Sequence, residues 1–196
     1  MVSDDTLDRA AAAVREGGLA VYPTETVYGL GADALDPEAV ARVFEAKGRS
    51  REKPVSMAAP SVDAALDLVR ATEREAAFMR QFLPGPVTVV VERGPAVPDA
   101  LTAGRDRVGV RVPDHDIALA LLDRVHPLTA TSANRSGHPS ARRIEELDPE
   151  FRSGVDAVVD AGETPGGGST VVDPGSGDIH REGPQADAIE AWLASH

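Results

Sequence analysis

The segment that decides the fold reads LAVYPTETVYGLG at residues 19–31. Its first four residues predict a short buried strand, and a polar turn that contains two glycines follows. A loop at the carboxyl end of a strand is where α/β folds bind ligands, and Thr24 and Thr26 would offer neutral hydroxyls there. The alternative is a plain turn in which Tyr28 packs on the core, and the spacing leaves both open.

Helix and strand patterns alternate outward from this segment in both directions. Helices are predicted from about Asp5 to Glu16 and from Asp36-Pro37 to Gly48, and apolar runs predict strands at 87–91 and 108–112. Ser3, Ser61 and Thr72 are predicted helix caps. Further helices are predicted to begin at Asp114 or Asp116 and at Gly183-Pro184. Further strands are predicted at 128–131, 155–159, 170–172 and 179–181. The order predicts an α/β fold with a mixed sheet flanked by helices.

Composition fits a globular protein. The chain has 196 residues, of which 42% are hydrophobic and only 4% aromatic, so its core must be built from Val, Leu, Ile and Ala. The absence of cysteine excludes disulfides and thiolate zinc sites. The chain has neither a basic start followed by an apolar run nor an apolar segment of bilayer length, so a cytoplasmic location is expected.

The charge balance is strongly acidic. Asp and Glu number 32 against 20 Lys and Arg, which gives a net charge of -12, and Lys47 and Lys53 are the only lysines. Abundant acids with scarce lysine predict adaptation to high salt, where self-repulsion is screened. The same balance argues against nonspecific binding of nucleic acid, which needs a basic surface.

Against this background, the segment KGRSREK at residues 47–53 concentrates four bases on a turn that contains glycine. Arginine binds oxyanions in a fork and lysine acts as a point charge, so the segment suits a triphosphate or pyrophosphate. The alternatives are a solvated charged face and bases that offset the negative end of a helix dipole.

The strand predicted at 108–112 carries charge on one side. Alternation places Arg107, Gly109 and Arg111 on the same face. A buried Arg111 needs an anionic partner, which could be a protein carboxylate or the carboxylate of a substrate.

Two further segments resemble binding loops. TATSANRSG at 129–137 clusters hydroxyls and an amide after a strand, and GGGSTVVD at 166–173 places three glycines before Ser169. The alternatives are an ordinary turn at Asn134 and a flexible hairpin loop. No P-loop, dinucleotide-binding glycine motif or His-Glu-x-x-His occurs, and no metal ligand among the side chains is predicted.

Together these segments resemble the YrdC-like family over roughly Asp8 to Pro184. The resemblance rests on PTETVYGLG at 23–31, KGR at 47–49, GP at 85–86, VGVRVP at 108–113, TSANRSG at 131–137 and GSTVVD at 168–173. It implies a twisted mixed sheet around a basic concave cleft. It also implies one YrdC-like domain over 1–196, without the C-terminal domain of the longer family branch.

Members of this family make threonylcarbamoyl-AMP and pyrophosphate from L-threonine, bicarbonate or CO2, and ATP with Mg²⁺. The resemblance therefore implies a nucleotidyltransferase that hands its product to the tRNA threonylcarbamoyltransferase machinery, with a weak tRNA contact as a further expectation.

The resemblance also implies roles for individual residues. Lys47 and Arg49 are the implied catalytic residues. The implied threonine site comprises Thr24, Ser56, Arg111, Ser132 and Ser169. The implied ATP site comprises Lys47, Arg49, Arg51, Arg107, Asn134, Arg142 and Arg181.

Two other functions compete with this one. An RNA-binding module would use the same basic cleft, but the acidic net charge and the lack of an aromatic platform argue against it. A family paralogue without activity would keep only the fold, but the intact Lys47, Arg49, Ser132 and Asn134 argue against that.

Overall fold

A computed structural model describes residues 2–196 and contains helices and short strands in alternation. The helices are α1 (Asp4–Arg15), α2 (Pro37–Lys47), α3 (Val62–Leu66), α4 (Glu73–Phe82), α5 (Asp99–Thr102), α6 (Asp116–Arg124), α7 (Pro149–Ser153) and α8 (Ala186–Ser195), with a 3₁₀ turn at Ile144–Glu146. The strands are β1 (Ala20–Tyr22), β2 (Gly29–Gly31), β3 (Ser56–Ala58), β4 (Val87–Glu92), β5 (Arg107–Arg111), β6 (Leu128–Ser132), β7 (Ala157–Val158), β8 (Thr170–Asp173) and β9 (Asp178–Arg181). Of the helices in residues 2–196, none has the length and apolar character needed to cross a bilayer.

All these strands join one sheet in the order β7-β1-β2-β6-β3-β5-β4-β8-β9. Strands β1 and β7, β3 and β5, and β4 and β8 pair in parallel, whereas the other neighbours pair antiparallel. The predicted α/β fold with a mixed sheet is confirmed.

Helix ends follow the predicted capping chemistry. Ser3 accepts a hydrogen bond from the Thr6 amide at the start of α1. Thr72 and Glu75 form a reciprocal capping box at the start of α4. Gly48 ends α2 in the left-handed conformation, at φ 55°, which glycine adopts without the steric cost that a Cβ would bring.

The glycines at 29 and 31 were predicted to lie in a turn, and that prediction is wrong. They form β2, which pairs antiparallel with β1. The ring of Tyr22 lies across both, and a Cβ at either Gly29 or Gly31 would come within 3.0 Å of a ring carbon. Glycine is therefore required here for close packing within a strand.

The two halves of the sheet are covered differently. Around β1, helices α1 and α6 pack on the Tyr22 face, while α2 and the segment at 141–151 pack on the Val21 face. In β4 and β5 the alternate valines, such as Val89 and Val110, pack against helices α3, α4, α5 and α8. Because strand residues alternate between faces, Thr88 lies on the opposite, less covered face.

A cluster of one arginine and two buried carboxylates joins this half of the sheet to α4. The Nη2 atom of Arg107 donates to Glu75 Oε1 at 2.9 Å, to Asp173 Oδ1 at 2.7 Å and to the carbonyl of Val90 at 2.8 Å. The Glu75 side chain is only 3% exposed. Burial alone would raise the pKa of Glu75, but hydrogen bonds from Thr72 and Arg107, with the Arg107 charge, outweigh it and lower that pKa.

We predict that Glu75→Gln destabilises the protein at neutral pH by roughly 1–3 kcal/mol, because a charge-assisted contact to Arg107 is lost. A carboxylate whose pKa is lowered by folding contributes stability above its unfolded pKa, and this contribution fades as the pH falls through its folded pKa. Urea unfolding between pH 7 and acid pH should therefore show the two proteins converging as the pH falls.

The exposed neighbour Glu73, in the same helical turn, supplies the control, and Glu73→Gln should follow the wild type. A constant gap between Glu75→Gln and wild type at every pH would contradict this account of the cluster.

Candidate active site

The less covered face of the sheet forms a cavity of about 770 Å³, within the size range of small-molecule sites. Its walls come from the loop after β1 and from strands β3, β4, β5, β6 and β8. The polar and charged residues that line it are Tyr22, Thr24, Thr26, Arg49, Ser56, Thr88, Arg105, Asp106, Arg107, Arg111, Thr131, Ser132, Ser140, Ser169, Asp173, His180 and Arg181.

Arg111 is anchored to the loop after β1. Its Nη2 donates to Thr26 Oγ1 at 2.9 Å and lies 3.0 Å from Glu25 Oε2, and the Arg111 and Glu25 side chains are each 14% exposed. Thr26 Oγ1 lies 2.9 Å from Thr24 Oγ1, so the guanidinium and both hydroxyls form one chain. The sequence left a protein acid and a substrate carboxylate open as partners of Arg111, and the structure supplies the protein acid.

Ser56 and Thr88 approach each other across Gly109 on the floor of the cavity. A Cβ at Gly109 would lie 2.3 Å from Ser56 Oγ and 3.0 Å from Thr88 Cγ2. Glycine at this position of β5 thus leaves room for a serine on one neighbouring strand and a threonine on the other.

Arg181 is hydrogen-bonded to Ser169, which follows the glycine-rich segment. Arg181 donates from Nε to the Ser169 carbonyl at 2.9 Å and from Nη2 to Ser169 Oγ at 2.8 Å. Ser169 Oγ also lies 2.9 Å from Thr88 Oγ1. Lost hydration and then the charge of Arg111 lower the pKa of Arg181, which indicates that the two guanidinium groups face the same space.

Arg49 reaches the cavity from the basic segment. It donates to the carbonyls of Lys53 at 3.2 Å and Pro54 at 3.0 Å, and burial lowers its pKa. These carbonyls orient the guanidinium without neutralising it, so its charge remains available to an anion.

The cations of the cavity fall into two groups. Arg107 and Arg111 are paired with carboxylates, whereas Arg49, Arg105 and Arg181 have no carboxylate within 4.0 Å among residues 2–196. In a chain with a net charge of -12, a cavity with three uncompensated arginines is a local site for anions.

Lys47 is buried and does not line the cavity. Its Nζ donates to the carbonyls of Ser132 and Asn134, the latter at 2.8 Å, and the residue is 2% exposed. Burial and then the charge of Arg49 lower the pKa of Lys47 to about 8. In this arrangement Lys47 fixes the loop that presents Ser132, and an ammonium retains one further donor.

Three other residues of the implied ATP site also lie outside the lining. Asn134 shapes its own loop, since Nδ2 donates to the carbonyls of Arg135 at 2.8 Å and His138 at 2.7 Å. Arg51 is exposed and lies 3.5 Å from Glu45. Arg142 pairs with Glu163 at 2.6 Å and packs against Gly166. Their roles toward ATP stay predictions, with no contact to the cavity that supports them.

Sequence reasoning assigned no role to Tyr22, Thr88, Arg105 or His180, although all four line the cavity. Thr88 carried a usable signal, because it is the one polar residue in the run Val87 to Val91. The sequence gives no such signal for Arg105 and His180, since exposed bases are common in loops and edge strands.

The cavity thus offers neutral hydroxyls beside an oriented guanidinium, and further arginines without acid partners. Such a set binds carboxylates and phosphates and stabilises negative charge that develops between them. Within residues 2–196, no three His, Asp or Glu side chains converge as a metal site.

We predict that Gly109→Ala destabilises the protein by roughly 1–3 kcal/mol, because the added methyl group overlaps Ser56. Adding Ser56→Gly should recover most of that loss, so the two changes should couple in a double-mutant cycle of unfolding free energies. Gly154→Ala is the control, because a Cβ there meets no atom closer than 3.5 Å. Additive effects of the two cavity changes would contradict the packing described.

A second prediction concerns the pH dependence of stability. Because the pKa of Lys47 falls from 10.5 to about 8 on folding, the unfolded chain holds more protons between these values, and stability rises with pH there. Lys47→Met should lose this rise, so from pH 7.5 to 9.5 wild type should gain roughly 2 kcal/mol relative to the variant.

Lys53→Met removes the only other lysine, which is exposed, and should parallel the wild type. Parallel curves for wild type and Lys47→Met would show that Lys47 titrates as an ordinary surface lysine.

Known proteins are similar to this chain in sequence and architecture. The model of the Sua5/YciO/YrdC family, described as "Telomere recombination", matches residues 12–183. The threonylcarbamoyl-AMP synthase of Pyrococcus abyssi is 43% identical over 167 residues, which cover 84% of this chain and 49% of that protein. That of Xanthomonas axonopodis pv. citri is 42% identical over 162 residues, which cover 81% of this chain and 86% of that protein.

Among solved structures, P. abyssi Sua5 complexed with L-threonine is 38% identical, with a TM-score of 0.90 over 98% of this chain and 58% of that one. The chain spans about half the length of the P. abyssi synthase. The family match covers most of the chain, the fold agrees, and the resemblance drawn from the motifs is confirmed: the chain belongs to the Sua5/YciO/YrdC family.

Proposed function

We propose that this protein is an L-threonylcarbamoyladenylate synthase, which forms threonylcarbamoyl-AMP and pyrophosphate from L-threonine, bicarbonate or CO2, and ATP. The observation that carries the proposal is a single cavity that combines an oriented Arg111 and neutral hydroxyls with arginines that lack carboxylate partners. The names of the similar P. abyssi and X. axonopodis proteins, and the threonine bound to P. abyssi Sua5, support it.

In this proposal threonine binds beside Arg111. The Nη2 atom of Arg111 contacts Glu25 and Thr26. Within the described part of the chain, residues 2–196, Nη1 has no hydrogen-bond partner and is not fully buried, so we assign it to the substrate carboxylate. The surrounding hydroxyls suit a small polar amino acid, since they can donate or accept without adding charge. The proposed threonine contacts are those of Thr24, Ser56, Arg111, Ser132 and Ser169.

ATP would enter as its Mg²⁺ complex, in which the metal would offset part of the phosphate charge. Arg49 and Arg181 line the cavity and have no acid partner within residues 2–196, so they are the strongest phosphate contacts in the proposal. Arg105 shares this property at the exposed rim. Lys47 would act by fixing the Ser132 loop and through its remaining donor. Arg51, Arg107, Asn134 and Arg142 complete the proposed ATP set, although Arg107 is already bound to Glu75 and Asp173.

The chemistry requires alignment more than a strong base. The threonine ammonium group first loses a proton to solvent, and the resulting amine adds to CO2 and loses a second proton to solvent, which gives a carbamate. A carbamate oxygen then attacks the α-phosphorus of ATP, the bond from that phosphorus to the bridging oxygen breaks, and pyrophosphate leaves. Both nucleophile and leaving group are anionic, so the cavity arginines lower the barrier by holding them together and offsetting their charge.

The wider role follows from the product. We propose that threonylcarbamoyl-AMP passes to the tRNA threonylcarbamoyltransferase machinery in the cytoplasm, with any direct tRNA contact being weak. Adaptation to high salt is part of the proposal, supported by the net charge of -12 and the scarcity of lysine.

Pyrophosphate release tests the activity. With MgATP present, release should require both L-threonine and bicarbonate, and comparing low with high salt tests the halophilic expectation. Release that ignores threonine, or none at any salt, would reject the synthase in favour of a paralogue without activity. RNA binding that persists at moderate salt would then favour the RNA-binding alternative.

We predict that Arg111→Ala raises the KM for threonine by roughly tenfold or more and changes the KM for ATP much less, because a charge-assisted contact to the carboxylate is lost. Steady-state pyrophosphate release at varied threonine and varied ATP measures both values. Arg9→Ala, which removes an exposed arginine paired with Asp5, is the control and should change neither. Equal shifts in both constants would show that Arg111 does not bind the carboxylate.

A further inference from the structure

Glu25 is an acid with buried carboxylate oxygens that the proposed reaction does not use. It stands between Thr24 and Thr26, whose side chains line the cavity, while Glu25 itself is absent from the lining. Its side chain is 14% exposed, and neither carboxylate oxygen has a hydrogen-bond partner among residues 2–196. Desolvating a carboxylate in this way is costly unless a nearby charge compensates for it.

The compensating charge is Arg111 alone. Glu25 Oε2 lies 3.0 Å from Arg111 Nη2, and each residue has this as its one ion pair within residues 2–196. The adjacent Tyr22 remains a neutral phenol, because burial raises its pKa to about 12. The pair is therefore close to neutral overall, unlike Arg49 and Arg181, which carry uncompensated charge in the same cavity.

This difference matters because the cavity must bind two ligands of unlike charge. A free amino acid is a zwitterion with no net charge, so its carboxylate can meet Arg111 while its ammonium group tolerates the nearby Glu25. A triphosphate carries several negative charges and would be repelled by a carboxylate one guanidinium group away. An Arg111 without Glu25 would be one more phosphate-binding arginine.

We propose that Glu25 is a specificity-determining positioning residue that, by neutralising Arg111 from behind, reserves that part of the cavity for a zwitterionic amino acid and keeps polyphosphate out. The inference rests on the proposed function, since it assumes that threonine binds at Arg111. Glu25 acts through Arg111 and need not touch the substrate.

Calorimetric titration of L-threonine, with and without inorganic tripolyphosphate and without ATP, tests it. In wild type the threonine Kd should be insensitive to tripolyphosphate, since ATP and threonine must bind together. In Glu25→Gln, which keeps the shape and removes the charge, tripolyphosphate should raise the apparent threonine Kd by roughly tenfold. In Glu25→Asp the threonine Kd should again be insensitive to tripolyphosphate. Glu16→Gln removes one negative charge from an exposed position, and its threonine Kd should also be insensitive.

A purely structural role for Glu25 would weaken threonine binding equally with and without tripolyphosphate, and that result would overturn the inference. Competition between tripolyphosphate and threonine in wild type would also overturn it, even if Glu25→Gln did not fold. Failure of wild type to bind threonine would reject the proposed function and the inference together, whereas threonine binding with unchanged competition in Glu25→Gln would reject the inference alone.

Discussion

The burial of Arg111 within a valine-rich strand is the constraint on which the site depends. A guanidinium that is 14% exposed must be neutralised and hydrogen-bonded, and the loop after β1 supplies both functions through Glu25 and Thr26. This contact ties the start of the sheet to β5, across 85 residues of sequence. It also aligns Thr24 and Thr26 beside Arg111, so that the interaction stabilising the fold forms one wall of the cavity.

The distribution of charge within the cavity differs from the net charge of the chain. The chain is acidic overall, yet three cavity arginines (Arg49, Arg105 and Arg181) keep their full charge because no carboxylate of residues 2–196 lies within 4.0 Å of them. Arg107, by contrast, is held by two buried carboxylates and contributes mainly to the joint between α4, β5 and β8. Exposed ion pairs elsewhere are worth little, and the distribution inside the cavity decides which anions bind.

Local chemistry made much of the fold predictable. The caps of α1, α2 and α4 and the alternation in β5 depend on residues close together in sequence, and each prediction agreed with the structure. Gly29 and Gly31 were assigned to a turn because the Tyr22 ring that requires them packs across a strand pair. The sequence also did not predict that Lys47 is buried or that carboxylates surround Arg107, since the partners of these two residues lie 32 to 87 residues away in sequence.

The central claim is that Arg111 with its hydroxyl neighbours holds the amino acid while the uncompensated arginines hold the phosphates. A crystal structure with L-threonine and a non-hydrolysable MgATP analogue tests it most directly. We expect the threonine carboxylate on Arg111, with Glu25 still in contact with that arginine, and the triphosphate on Arg49 and Arg181. Phosphate oxygens on Arg111, or threonine bound away from Thr24 and Thr26, would contradict it.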